Sequence, residues 1–274
     1  MQRVIRSVLV IGGILTLGLA VGYAWQMPWA INTWLWEDSR FSYIFVASMQ
    51  AAIAAAMIWI GLSGELGIAA AGALNLVVMM GGMAVYLGQV ARQPAREYLI
   101  YYAIGCGLFA LFNVLLFFWS RRIPIRDPRP TPWPVRLSYG LFTAVLVVVG
   151  GALILQMPNL FPWPLKPESS TVFGWMFLGD AFYFLYALLY PRWHAARAQL
   201  WSFLAYDLVL LGPFLLHFQT VKPELRNGLI VYTGVLVYSG LLAVYYLLLN
   251  RATRTGSGQP VRASENVYEL RTTN

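Results

Sequence analysis

Eight long apolar runs separated by short polar segments organise this chain. They occupy approximately residues 4–25, 41–61, 66–90, 98–119, 136–156, 171–190, 198–218 and 228–250. Each is near the ~20 residues that carry a helix across about 30 Å of hydrocarbon at about 1.5 Å per residue. The runs are continuous, whereas membrane β-strands would alternate over about ten residues. The pattern predicts an all-α membrane protein with eight transmembrane helices. In the first run, Arg3 and Arg6 precede the apolar residues, and Gly22-Tyr23-Ala24 has the form of a small-x-small cleavage site. That run is longer than a usual signal core and has a partner at 136–156, so we read it as a retained helix.

The partner emerges on shifting the chain by 130 residues without gaps. Residues 4–121 then lie over 134–251, with 17 of 118 positions identical. Leucine matches leucine cheaply, so placement carries more than number. Gln26-Met27-Pro28 returns as Gln156-Met157-Pro158 at the end of the first run of each half. Gln89 and Arg96 return as Gln219 and Arg226, Arg6 as Arg136, Arg121 as Arg251, and Ser39 as Ser169. Helix ends recurring in register predict two tandem four-helix repeats. An even number of helices per repeat gives both the same, parallel orientation. The expected organisation is a first repeat at 1–121, an Arg/Pro-rich cytoplasmic linker at 122–135, a second repeat at 136–250 and a disordered cytoplasmic tail at 251–274.

Composition agrees with lipid as the solvent. The chain is 59% hydrophobic and 11% charged, against about 25% charged in a soluble domain. The net charge of +8 would suit a nucleic acid, but the basic residues stand at the ends of apolar runs and no polar module remains to carry such binding. Thirteen of the 19 lysines and arginines fall in the segments on the side of the N-terminus, five of them arginines within 121–136. The positive-inside rule therefore predicts an N-in/C-in arrangement. Tryptophans 25, 29, 34 and 36, with Trp119 and Trp133, are expected as headgroup-level anchors. The single cysteine, Cys106, excludes an internal disulfide and a multi-thiolate zinc site, and is expected as a small apolar residue. The histidines, His194 and His217, belong near opposite faces, so no shared metal site is expected.

Ionisable groups inside hydrocarbon cost several kcal/mol unless paired, hydrated or neutralised. Two acids qualify. Asp180 lies near the middle of the sixth run, and the shift lays it over Gln50 in the second. Polar groups at matching depth, one per repeat, would face each other across the pseudo-axis. Tyr183 and Tyr186 follow Asp180 at helical spacing. Asp180, Gln50, Tyr183 and Tyr186 are therefore the candidate substrate-binding set, suited to a cation, a proton or an amine. The structural alternative for Asp180 is a carboxyl hydrogen-bonded to a neighbouring helix. Asp207, expected in the inner half of the seventh run, is a secondary candidate that Arg192 or Arg197 would neutralise as a structural ion pair. Small residues, including Gly18-x-x-x-Gly22, alanines within 51–56 and Ala69 to Ala73, predict close helix approach in the first half. No catalytic, metal or cofactor motif is present: there is no Walker lysine, no His-Glu-x-x-His and no Gly-x-Ser-x-Gly.

The stretch Phe161-Pro162-Trp163-Pro164-Leu165-Lys166-Pro167, with Ser170-Thr171 and Gly174-Trp175, resembles a pattern in uncharacterised bacterial multi-helix integral membrane proteins. The resemblance implies a bacterial inner-membrane location and carries over no functional residue. The function expected from the residues is a small permease-like transporter of a small solute or ion. The alternative is a non-catalytic membrane subunit or assembly factor, with a membrane-protein partner or a second copy. A lipid-modifying enzyme is disfavoured, because no cluster of acids and histidines lies at headgroup level.

Overall fold

The structure is a computed structural model that describes residues 2–125 and 129–253. Arg126 of the predicted linker, and the predicted tail from residue 254 onward, lie outside the described residues. Eight helices are each long and apolar enough to cross a membrane, and no strand occurs among the described residues beyond an isolated bridge between Pro130 and Arg192. The helices are α1 (Gln2–Ala24), α2 (Arg40–Ser63), α3 (Ala69–Val90), α4 (Leu99–Ser120), α5 (Trp133–Ile154), α6 (Pro167–Leu189), α7 (Trp193–His217) and α8 (Arg226–Val244). Single 3-10 turns, Leu66–Ile68 and Pro223–Leu225, lead into α3 and α8, and a π-turn, Tyr245–Leu249, extends α8. This is the build of a multi-pass membrane protein. One end of the bundle carries the tryptophan-rich loops around residues 25–39 and 155–166, and the other carries the arginine-rich loops.

The helices form two strings. In one, α1 packs on α2, α2 on α7 and α7 on α8; in the other, α4 packs on α3, α3 on α6 and α6 on α5. The strings face each other as two layers, joined by rings such as Phe45 on Phe173 (4.5 Å between centroids) and Phe184 stacked on Phe203 (4.8 Å). Within a layer, glycine sets the closest approaches. Gly150 of α5 and Gly174 of α6 lie backbone to backbone, and a Cβ on Gly174 would sit 2.7 Å from the Gly150 carbonyl oxygen. The α1–α2 approach uses Gly13 and Gly61, whereas Gly18, expected as a packing residue, faces open space. In the Gly18-x-x-x-Gly22 pair only Gly22 is filled, by Trp29 and Ala30 of its own outgoing turn.

Helix ends have local chemical causes. α1 closes on Gln26 in the left-handed region (φ 53°), with Gln26 N–H donating to Tyr23 O (3.0 Å) and Met27 N–H to Gly22 O (2.8 Å). α5 closes the same way on Gln156 (φ 56°), with Gln156 N–H to Leu153 O (2.9 Å) and Met157 N–H to Ala152 O (3.0 Å). This paired bonding satisfies carbonyls that a helix end otherwise leaves open, and proline in the following position bars further helix. Ser39 caps α2 by accepting from Ser42 N–H, and Gly64 ends α2 at φ 73°. There the Arg6 guanidinium donates to Gly61 O (2.9 Å) and Leu62 O (2.8 Å), a cation at the negative end of a helix.

α6 and α7 begin four or five residues before the apolar runs do. Polar side chains of the extra turns find backbone acceptors, Ser170 donating to Leu153 O (2.8 Å) and Arg197 to Thr253 O (2.8 Å), and just inside the α7 run Gln199 donates to Tyr183 O (2.8 Å). The earlier start also moves Asp207 just past the midpoint of α7, towards the tryptophan-rich end, and not into the inner half. Trp25, Trp29 and Trp133 are exposed at helix ends, as anchors would be, but Trp34 and Trp36 fold inward against α6.

Candidate functional site

The two layers do not close on each other throughout. Between them lies a cavity of about 840 Å³ that touches all eight helices. Its wall is overwhelmingly aliphatic and aromatic. The polar exceptions are Asn75, Asn113, Asp180, Tyr183, Ser202, Tyr206, Asp207, Tyr232 and Ser239, and no lysine, arginine or histidine is among the described residues that line it.

Asp180 on α6 sits nine residues from the arginine-rich end of its helix, and Asn75 sits nine residues beyond Leu66 at the same end. Both therefore lie about 14 Å into the bundle at about 1.5 Å per residue. The Asn75 amide donates to Asp180 Oδ1 (2.7 Å). This is possible because residue 179 is glycine: a Cβ there would stand 2.4 Å from Asn75 Oδ1 and 2.9 Å from its backbone oxygen. The Asn75 Oδ1 itself is buried and has no hydrogen-bond partner. Asp207 on α7 receives the Ser239 hydroxyl from α8 (2.9 and 3.0 Å to its two oxygens). It does not pair with Arg197 or Arg192, which lie ten and fifteen residues down the chain, about 15 Å or more along a helix axis. The Tyr206 and Tyr232 hydroxyls bond to each other in the same wall.

Of the expected binding set, Asp180 and Tyr183 line the cavity together with the secondary candidate Asp207. Gln50 is half-buried on α2 and is not part of the lining, so the amide that meets Asp180 is Asn75 on α3. Tyr186 also lies outside the lining; its ring packs on Phe117 (5.9 Å) and Tyr190 (4.8 Å). Asn75, Ser239 and the Tyr206–Tyr232 pair were missed. Their signal was present as isolated polar residues in apolar runs, but only tertiary structure shows which of them share a wall.

The tryptophan-rich end of the cavity is plugged. The Leu160–Leu165 segment turns into the bundle and buries Phe161 and Trp163. Trp163 Nε1 donates to Ser42 Oγ (3.2 Å), and His217 Nε2 meets Pro162 O (2.9 Å) under a Phe41 ring contact of 4.2 Å. A latch holds the plug from above: Trp36 Nε1 donates to Ser169 Oγ (2.7 Å), Ser169 to Asp38, and Lys166 to the Glu37 carbonyl, while Arg96 pairs with Glu168 (2.9 Å). The resembling Pro-Trp-Pro-Leu stretch is thus a buried stopper.

Sideways the cavity is open. In the arginine-rich half its wall runs onto Val4 and Val8 of α1 and Phe112 and Leu115 of α4, each more than half exposed. At the opposite edge, α5 and α8 are bridged by Ser138 and Tyr238 (2.7 Å between hydroxyls) and by Phe142 on Tyr238 (6.1 Å). The exposed cavity-lining residues on that edge are Val145 and Val231 in the tryptophan-rich half and Val235 at the middle of α8. Among the described residues no three His, Cys, Asp or Glu side chains converge as metal ligands would.

Fold and cavity together define a multi-pass helical membrane protein with an acid-bearing apolar chamber between two helix layers. No protein-family model, no curated protein and no solved structure matches the chain.

Proposed function

We propose that the protein is a small permease-like carrier whose solute occupies the cavity beside Asp180. The observation that carries this reading is the chamber itself: large enough for a small organic molecule, plugged at one end, and holding a half-buried carboxylate at mid-depth with a single amide donor. A carboxyl serving only as packing glue would be sealed among helices, whereas Asp180 lines the chamber.

The carrier is built as two tandem four-helix repeats in parallel orientation, with both termini cytoplasmic in a bacterial inner membrane. Several features support the repeat. A shift of 130 residues carries α1–α2 onto α5–α6, α3–α4 onto α7–α8, and α2–α7 onto α6–α3, so the packing pairs exchange among themselves. The left-handed glutamine that closes α1 has its counterpart closing α5. The excess of arginine at one end supports the cytoplasmic placement of the termini. Repeats related by an axis along the membrane normal would place a solute site at their interface, and a chamber lined by helices of both halves supports that reading.

The test is uptake into proteoliposomes from a mixture of bacterial small metabolites, read by mass spectrometry. The account expects at least one solute to accumulate with the wild-type chain and not with Asp180→Asn. Identical contents in wild-type, variant and protein-free vesicles would contradict it and favour a non-catalytic subunit.

A further inference from the structure

The chamber has a chemical bias that narrows its occupant. Its two ionisable acids, Asp180 and Asp207, are each met by one neutral donor group, Asn75 Nδ2 and the Ser239 hydroxyl. No cation lines the wall among the described residues. A third acceptor, Asn75 Oδ1, is buried without any donor, on a residue only 8% exposed. An ionised carboxylate offers about four acceptor sites, and a buried acceptor left empty costs roughly 1–3 kcal/mol. Acceptors therefore outnumber donors around Asp180. The missing complement is a group that brings both N–H donors and positive charge.

The rest of the wall fixes the remainder of the molecule. Leu76, Met49, Phe177, Leu146 and Phe203 present hydrocarbon and ring faces around the polar centre. Access is lateral, past side chains that face lipid. A strongly hydrated ion has no reason to take this route, whereas an amphipathic molecule partitioned into the bilayer meets the opening directly.

Resting on the carrier reading above, we propose that the chamber binds organic ammonium ions with a compact apolar body, the N–H groups held by the open acceptor sites of Asp180 and the body against the aliphatic and aromatic wall. Asp207 offers a second, weaker acceptor in the same chamber.

The experiment uses the full chain in lipid nanodiscs and three probes of one shape: 1-adamantylamine, 1-adamantanol and adamantane-1-carboxylate. Binding is measured calorimetrically with protein-free nanodiscs subtracted, which removes partition into lipid. The amine is expected to bind about tenfold or more tighter than the alcohol, as suits a charge-assisted hydrogen bond, and the carboxylate weaker still. Asp180→Asn is expected to remove most of the amine preference, and Asp207→Asn a smaller part of it. Equal affinity for all three probes overturns the proposal, and the wild-type series alone decides it if Asp180→Asn does not fold. The two readings fail differently. Amine selectivity without amine uptake into proteoliposomes sinks the carrier and leaves the cation site. Asp180-dependent uptake of some solute without amine selectivity sinks the cation site and leaves the carrier.

Discussion

The α1/α4 and α5/α8 edges of the bundle stand in corresponding places and differ in their arginine-rich halves. At the α5/α8 edge, Ser138 and Tyr238 share a hydrogen bond and Phe142 covers it. At the α1/α4 edge the residues offset by 130 are Val8, Leu108 and Gly12; Val8 and Leu108 are exposed, and none of the three carries a hydroxyl or a ring to bridge the seam. Both edges are apolar by composition, so hydropathy treats them alike. The lesson is that a hydroxyl pair and one ring decide whether two membrane helices hold a seam closed. In hydrocarbon there is no hydrophobic force to close the seam without them.

The largest effect is expected where both edges share a support. Gly179→Leu would drive a side chain into Asn75 and Met79 at the α3–α6 contact. Overpacking of this kind costs about 3 kcal/mol, and we expect loss of the monodisperse peak in detergent chromatography. Next comes blocking the open edge. Val8→Trp should slow association of the amine probe about tenfold with little change in thermal stability, whereas an unaltered rate would place the route elsewhere. Weaker still is unlatching the closed edge. Tyr238→Phe removes one membrane hydrogen bond, worth about 1 kcal/mol, and should lower the melting temperature by a few degrees in scanning fluorimetry. The most local effect belongs to the plug, where Ser42→Ala deletes the acceptor for Trp163 Nε1 at a cost of about 1 kcal/mol. Its check is a slight rise in proteolysis of the Leu160–Leu165 segment.

The helices were legible because hydrocarbon is an unforgiving solvent: eight apolar runs give eight helices. Their starts were less so. The polar first turns of α6 and α7 look like loop to hydropathy, but Ser170 and Arg197 are helical because each has a protein acceptor within reach. The candidate site was half legible. Asp180 stands out in any apolar run, and Tyr183 follows from helical spacing. Gln50 was the wrong amide, since the 130-residue offset matches helices in sequence, whereas the helix that packs beside Asp180 is α3, which brings Asn75. Trp34 and Trp36 resemble surface anchors in sequence, and nothing in the Pro-Trp-Pro-Leu stretch marks it as buried. Trp36 and Trp163 turn inward because Ser169 and Ser42 accept their indole N–H groups, and Trp34 follows by packing on Trp36 and Phe173. No local pattern announces such partners, which lie 133 and 121 residues away.

The chamber's contact with lipid is the point on which the account stands, and oxygen collision with nitroxide labels reads it directly. In a Cys106→Ala background, one label would replace Met57, which lines the chamber by the α1/α4 seam, and another Phe142 beneath the α5/α8 latch. The account predicts collision with lipid-dissolved oxygen several-fold more frequent at position 57 than at 142, with little access for a water-soluble nickel chelate at either. Equal and low oxygen access at both would mean that the layers are sealed, and would contradict it.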